Sequence, residues 1–487
     1  MKFFDIDLKE IGFEYVYDQL QPKTIFGMDK KRNLKFYKKH EKELLIREFD
    51  ELEKVIEKLR YNNEIFEDIE TILLKFKDIR KSISRCKNGC VLDEVELFEI
   101  KNFCLNSNAL RNLILQAGLY FINLNSLEDV FKLLDPEGKN MPTFHIYSAY
   151  SKKLEEIRNK KLDIERKILY ELDEKIIDIL KEERLRIVIE EEEEELKIKT
   201  ILSEKISFYS KKFEENFEAI GKLDFLIEKA KLAIKYDAVK PNLDDNRICF
   251  VNQINPYVLD LLRKNGKNFV PITIEIPFGT TVITGANMGG KSITLKTITL
   301  NLLMGHLGFF VFAKHASFPI LDFIYFVSDD LQSVSRGLST FGAEIIKLNE
   351  IIEAVKFGLG FVALDEVARG TNPKEGYAIV KALCKYLNKF KSFVLVSTHY
   401  DSVVDNDMSH YQVIGLRNVN FNKLKKDLAL KNSIEVIQEY MDYRLVKVQS
   451  LSEVPKDALN ISKLLGFNQE VINMAENILK EGEGYEK

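Results

Sequence analysis

Thr280-Thr-Val-Ile-Thr-Gly-Ala-Asn-Met-Gly-Gly-Lys-Ser292 decides how this chain is read. The β-branched run Thr280 to Thr284 predicts a buried strand, and Ser292 to Met304 has the Leu, Ile and Thr spacing of a helix. Between them, Gly285 to Ser292 fits Gly-x-x-x-x-Gly-Lys-Ser, the spacing of a phosphate-binding loop. Glycines let backbone N–H groups wrap phosphates without a Cβ in the way. The helix N-terminus adds the positive end of its dipole. Lys291 is placed to reach the β- and γ-phosphates, and Ser292 to offer a hydroxyl to Mg²⁺. The expected ligands are therefore a nucleoside triphosphate and Mg²⁺. Gly285, Asn287, Met288, Gly289, Gly290, Lys291, Ser292 and Ile293 are the candidate nucleotide contacts.

Further along, Phe361-Val-Ala-Leu-Asp-Glu366 reads as an apolar strand ending in two carboxylates. Downstream of a phosphate loop, the first, Asp365, is expected to hold Mg²⁺, and the second, Glu366, to polarise an attacking water. Arg369-Gly-Thr371 follows at once. The next apolar strand, Phe393 to Val396, runs into Ser397-Thr-His399. At the end of a strand beside the Asp-Glu strand, His399 points toward the γ-phosphate region. Ser335-Arg-Gly-Leu-Ser-Thr-Phe341 leads into a helix from Gly342. A serine there can cap the helix or present its hydroxyl and backbone N–H groups to a phosphate.

The 487 residues exceed one hydrophobic core and predict several domains. Up to about residue 240 the chain is poor in glycine and dense in Leu, Ile, Lys and Glu. Helical periodicity recurs from Glu43 to Leu59 and from Leu154 to Ile187, long enough for coiled coils or levers. Asp135 to Pro142 reads as a loop, and the six-glutamate run Glu190 to Glu195 as a solvated helix face or tip. Pro241 to Asn246 reads as a linker. Beyond it, short β-rich runs (Ile248 to Val251, Val270 to Ile276, Thr281 to Thr284) alternate with helical patterns, which predicts a mostly parallel α/β sheet. The tail from Asp457 to Lys480 returns to helix.

No run of about twenty apolar residues predicts a membrane span. The N-terminus turns acidic at once and lacks the apolar core of a signal peptide, so a cytoplasmic location is expected. Five cysteines, odd in number, suit a reducing compartment. Cys86 and Cys90 flank the turn Lys-Asn-Gly and read as structural thiols rather than zinc ligands. The net charge of −4 lacks the basic excess of a dedicated nucleic-acid binder, so any DNA contact has to come from local patches.

As an ordered set, Thr284 to Ser292, Asp329-Asp-Leu331, Leu338-Ser-Thr-Phe341, Leu364-Asp-Glu-Val-Ala-Arg-Gly-Thr371 and Ser397-Thr-His-Tyr400 resemble the MutS family of ABC-type ATPases. The likeness is strong over roughly 250 to 480 and weaker before. Gln19 to Gly27 looks like the start of the family's core/lever domain, and Leu133 to Gly138 through Arg158 like short paralogues without a mismatch-reading domain. The resemblance implies a multidomain architecture. An all-α core/lever over 1–240 carries short clamp-like helices at about 165–215. An α/β ABC-type P-loop ATPase domain over 241–487 ends in dimerising helices near 458–479.

It further implies a homodimer or paralogue heterodimer with shared nucleotide sites. Lys291, Ser292, Asp365 and Glu366 would act in cis, Ser339 would reach the γ-phosphate bound by the other subunit, His399 would sense it, and Asn287 would position nucleotide or water. Closure on ATP would drive a clamp around double-stranded or branched DNA, in mismatch repair or recombination.

Several features depart from that pattern. The chain starts at the core domain. Phe49-Asp-Glu51 has the Phe-x-Glu spacing of a mismatch wedge but sits in a charged helix of the wrong domain. Residues 171 to 195 are acid-dominated, which repels DNA if they face it. Ala286 stands where the family has proline. These departures sustain a second reading, a MutS-like ATPase acting on a protein client, as in reactivating factors for cobalamin-dependent aminomutases.

Overall fold

The structure is a computed structural model that describes residues 6–141, 143–244, 246–285, 289–328, 340–400, 402–416, 419, 423–424, 440–448, 459, 462–463 and 466–482. Two compact units interleave along the chain. One comprises Leu20–Leu34 and Glu51–Lys231, the other Met1–Gln19, Lys35–Asp50 and Leu232–Lys487. The helices of the first half are α1 (Phe13–Asp18), α2 (Ile25–Arg32), α3 (Lys42–Tyr61), α4 (Asn63–Leu73), α5 (Arg80–Lys87), α6 (Glu94–Gln116), α7 (Glu128–Leu134), α8 (Lys152–Tyr170), α9 (Glu174–Ser207) and α10 (Ser210–Lys235).

The first unit is helical. Phe26, Phe76, Phe103, Phe213 and Phe217 pack into one aromatic cluster, with Phe26 stacked on Phe217 at 4.9 Å. Helices α2 and α10 meet where neither carries a side chain. A Cβ on Gly27 would lie 2.2 Å from Asp224, and one on Gly221 2.7 Å from the Phe26 carbonyl. Thr24 caps α2 by accepting from the Gly27 N–H at 2.9 Å, and its hydroxyl donates to Asp224 at 2.7 Å. The 135–141 stretch is irregular as expected, with Gly138 and Asn140 at positive φ. It is anchored by the buried pair Lys101–Asp135 at 2.9 Å.

Two expectations change in this unit. Leu154 to Ile187 is not one long helix. Glu171 to Asp173 break it, and the Asp173 carboxylate caps α9 by accepting from the Lys175 N–H at 2.9 Å. Helices α8 and α9 fold back as an antiparallel arm. Arg158 pairs with Glu191 and Glu195, Lys161 with Glu191, and Arg184 with Glu165, so the contacts climb one helix while descending the other. Ile157, Ile164 and Ile187 form its core.

The Glu190–Glu195 run is likewise not merely a solvated face. Glu191, Glu194 and Glu195, at i, i+3 and i+4, turn toward α8, where Glu191 is buried and Glu194 accepts from Ser151. Glu190, Glu192 and Glu193 stay exposed.

The second unit holds both sheets. Its strands are β1 (Asn242–Leu243), β2 (Arg247–Gln253), β3 (Ile272–Pro277), β4 (Gly279–Thr284), β5 (His315–Phe318), β6 (Phe323–Val327), β7 (Gly360–Asp365), β8 (Phe393–Ser397), β9 (Ser409–Gly415) and β10 (Asp442–Lys447). Its later helices are α11 (Pro256–Lys264), α12 (Lys291–His306), α13 (Thr340–Phe357), α14 (Pro373–Leu387) and α15 (Gln469–Gly482).

The predicted parallel sheet is present in the order β10-β9-β4-β8-β7-β6, parallel from β9 to β6 with β10 antiparallel at the edge. Every residue of β4, β7 and β8 is buried, as for parallel strands covered on both faces. A second sheet, β1-β5-β2-β3, is largely antiparallel and was not foreseen. The presumed linker supplies its edge, because Asn242 and Leu243 pair with Ser317 and Phe318.

Cys86 is buried and its thiol donates to the Ser203 carbonyl. Among the described residues no helix is long and apolar enough to cross a membrane.

Candidate functional site

Three neighbouring parallel strands, β4, β8 and β7, end at one edge of the six-stranded sheet. Ser397 of β8 is the register partner of both Ile283 and Asp365. The phosphate-loop, His399 and Asp-Glu segments therefore all leave from the carboxyl edge, where open α/β sheets hold their ligands.

At the end of β4, Gly285 has φ 138°, and a Cβ there would meet the Val413 side chain at 3.1 Å. Ala286, Asn287 and Met288 lie outside the described residues. Gly290 precedes α12 in the left-handed region, φ 82°, and a Cβ would lie 3.1 Å from the Tyr443 ring. Both positions therefore need glycine, and Tyr443 comes from β10, an element that no motif announced. Helix α12 is buried on nearly every face. Its threonines satisfy their hydroxyls by donating one turn back, Thr294 to Gly290, Thr297 to Ile293 and Thr299 to Leu295.

Lys291, the first residue of α12, is 4% exposed. Its ammonium donates to the Gly285 carbonyl at 2.8 Å and lies 3.4 Å from Glu366. Burial pushes this ammonium below the ordinary lysine value, against the pull of Glu366 and Asp365. Ser292 and Ile293 follow in the same first turn, partly buried and exposed respectively.

Asp365 ends β7 almost fully buried, and its Oδ1 accepts from the Ser397 hydroxyl. Glu366 turns off the strand at φ 48° and Ala368 at φ 60°. Non-glycine residues held in such conformations cost about 1–3 kcal/mol each and persist only where surroundings over-determine them. Here the surroundings do so. The Glu366 N–H donates to the Ser397 carbonyl at 3.1 Å, and the Ala368 N–H to Glu344 of α13 at 2.9 Å. A Cβ on Gly376 of α14 would lie 2.9 Å from the Ala368 carbonyl. Arg369 pairs with the second Glu366 oxygen at 3.2 Å.

His399 is exposed two residues past β8, its ring 4.4 Å from that of Tyr400. Ser339 and the Asp329–Leu331 motif lie outside the described residues. The structure thus joins Lys291 to Glu366 and Asp365 to Ser397, with His399 at the same edge. Sequence reading gave no role to Ser397, Arg369, Glu344 or Tyr443. Two of these sit inside motifs, and the other two are recognisable only from the fold.

Among the described residues no group of three or more His, Cys, Asp or Glu could hold a metal by itself. One carboxylate and one hydroxyl, Asp365 and Ser292, are what Mg²⁺ asks of a protein when phosphates and water complete its octahedron. The buried Lys291 ammonium and the glycine positions without room for a Cβ fit a phosphate chain.

A family model for MutS domain V matches residues 281–481. Endonuclease MutS2 of Carboxydothermus hydrogenoformans is 31% identical over 270 residues, covering 55% of this chain and 32% of that protein. DNA mismatch repair protein MutS of Thermodesulfovibrio yellowstonii is 30% identical over 350 residues, 69% of this chain and 38% of its own length. The mismatch repair protein MutS of Natronomonas pharaonis is 33% identical over 205 residues, 42% and 23% respectively. The matched part of the chain thus spans 23% to 38% of the length of these relatives.

Proposed function

We propose that this chain, which belongs to the MutS family, is a Mg²⁺-dependent ATPase that couples ATP binding and hydrolysis to clamping of DNA in mismatch repair or recombination-related processes. The observation that carries the ATPase reading is the buried Lys291–Glu366 pair at the carboxyl edge of β4, β8 and β7, with Asp365 held beside it by Ser397. Gly289, Gly290 and Lys291 would hold the phosphates, while Ser292 and Asp365 would hold Mg²⁺, which supplies charge neutralisation to the transferring phosphoryl group.

Lys291 exchanges the Gly285 carbonyl for phosphate oxygens, a charge-assisted bond stronger than the one it leaves. Glu366, relieved of Lys291, orients and deprotonates water. His399 faces the same edge as a γ-phosphate sensor. The domain reading is the one expected from sequence: a helical core/lever over 1–240, and an ATPase domain over 241–487 that dimerises through its C-terminal helices and lends Ser339 to its partner.

The test is ATP turnover with Mg²⁺. Wild type hydrolyses ATP, whereas Glu366→Gln binds it and accumulates a closed dimer. Equal turnover in the two would end the assigned role of Glu366. DNA clamping is tested by retention on duplex, branched and single-stranded DNA with ATP, which should fall steeply with salt.

One observation favours a protein client instead. The exposed residues on the face of α9 turned away from α8 include Leu185, Ile189, Glu192, Glu193 and Leu196 beside the cation Arg186, so the face is mainly apolar and acidic rather than suited to a phosphate backbone. Absence of retention on duplex, branched and single-stranded DNA at low salt with ATP would count against the first reading and favour the second.

A further inference from the structure

We infer that Glu344 is a positioning residue for Glu366, transmitting the placement of α13 to the catalytic turn. This rests on the ATPase reading above and deepens it. The turn from Glu366 to Arg369 contains two non-glycine residues at positive φ, 48° and 60°. Such a turn does not hold itself, because either residue relaxes to negative φ unless its neighbours forbid it.

Two sides of the clamp belong to the sheet edge and α14. Ser397 accepts the Glu366 N–H through its carbonyl at 3.1 Å and its hydroxyl at 3.2 Å. Gly376 lets α14 approach the Ala368 carbonyl. The third side is different in kind. It is a single long side chain, Glu344, reaching from the first turns of α13 to accept the Ala368 N–H at 2.9 Å.

Ala368 is itself buried, at 1% exposure, so its N–H has no water to fall back on. Without the Glu344 acceptor the amide loses its partner, and the cheapest response is a backbone rotation at Ala368. That rotation carries Arg369 and its 3.2 Å contact to Glu366 with it. Misplacement of a reacting group by about 1 Å can cost 10²-fold in rate. Helix α13 bridges β6 and β7, and Glu344 lies at its amino end. A shift of that end is therefore read directly at the turn that aims Glu366.

The needed property is an acceptor, not a charge, which makes the conservative variant decisive. Glu344→Gln keeps a carbonyl oxygen at the same reach. Glu344→Ala and Glu344→Met remove it, and Met preserves the bulk. With the full chain, ATP and Mg²⁺, we expect Glu344→Ala and Glu344→Met to lower kcat ten- to hundredfold. KM and thermal midpoint should stay within threefold and a few degrees of wild type. Glu344→Gln should stay within threefold in kcat.

Unchanged kcat in Glu344→Ala overturns the inference. So does a Gln variant as impaired as Ala, which would mean that charge matters. Loss of fold in both Ala and Met variants would make Glu344 structural and equally end the claim. If wild type itself shows no turnover, the ATPase reading fails rather than this one. Amide exchange at Ala368, faster in Glu344→Met than in Glu344→Gln, then still tests the contact.

Discussion

At the end of β7, Glu366 lies between Lys291 and Arg369; on α9, Glu191 lies between Arg158 and Lys161. The two clusters have the same composition, one carboxylate with two cations, and opposite energetics. Burial alone would raise the Glu191 carboxyl, but Lys161 and Arg158 hold it below the ordinary carboxylate range, so pairing outweighs desolvation. Burial wins at Lys291, whose ammonium stays below the ordinary lysine value despite Glu366 and Asp365. The arm has closed its electrostatics within itself. The phosphate-loop site carries a cation that the fold does not fully compensate, which is what a site built for an anion should show.

The largest effect expected from this contrast is at Lys291. Lys291→Met should weaken ATP binding about a thousandfold, ~4 kcal/mol, as expected when one partner of a buried charged contact is truncated. It should leave the thermal midpoint within a few degrees of wild type, because relief of a desolvated ammonium offsets the partner lost by Glu366, which keeps Arg369 on its other oxygen. Titration calorimetry and a melting curve on one sample decide both. A midpoint drop of several degrees would break the comparison, placing Lys291 with the self-satisfied charges of the arm.

A second prediction extends the contrast to acid. His306 is fully buried, between Phe36 and Phe318, with Nδ1 bonded to the Leu302 carbonyl and Nε2 accepting from the Leu321 N–H. Burial lowers its pKa to about 4. Its stabilising contribution is complete above the unfolded value of about 6.5 and is lost as pH falls through the folded one. Across that window the unfolded imidazole takes up a proton that the folded one refuses, a loss of up to ~3 kcal/mol. Urea unfolding at pH 7 and pH 4 should show it, and His306→Gln should flatten the profile. An unchanged slope in the variant would assign the acid sensitivity elsewhere.

The site was more legible from sequence than the arm, for a physical reason. Parallel strands buried on both faces are unbroken apolar runs, so Thr280 to Thr284, Phe361 to Leu364 and Phe393 to Val396 announce themselves, and so do the polar residues where they stop. What escaped depends on partners distant in the chain. Asn242 and Leu243 look like linker because β5, which makes them a strand, lies some seventy residues on. Tyr443 against Gly290, and Glu344 under Ala368, are contacts with no spacing to betray them. The glutamate run could not be divided into inward and outward members before α8 was known to lie alongside. The positive φ of Glu366 leaves no trace in composition.

That division of the run yields the finer test of the arm. Arg158 is about one quarter exposed and serves Glu191, Glu195 and the Ser148 hydroxyl. Arg158→Ala leaves a buried carboxylate short of a partner and should destabilise the helical unit by about 2 kcal/mol, less than for a wholly buried pair because solvent reaches both groups. ATP affinity should be untouched, which separates the arm from the site in the same pair of measurements used for Lys291.

The smallest effect comes from neighbours on α9 that differ only in the face they occupy. Glu191→Gln removes the charge that Arg158 and Lys161 both address, and should lower stability by about 1–2 kcal/mol. Glu193→Gln, two residues on and exposed, should change stability by less than about 0.5 kcal/mol, because solvent already screens that carboxylate. It also lowers the negative charge of the outward face. If the arm meets DNA through that face, Glu193→Gln should strengthen retention slightly and shift its salt dependence. If the face meets a protein, DNA retention should not move. Equal destabilisation by the two substitutions would mean that the run acts through its total charge and not through the α8 contacts, which would undo the distinction between paired and solvated glutamates.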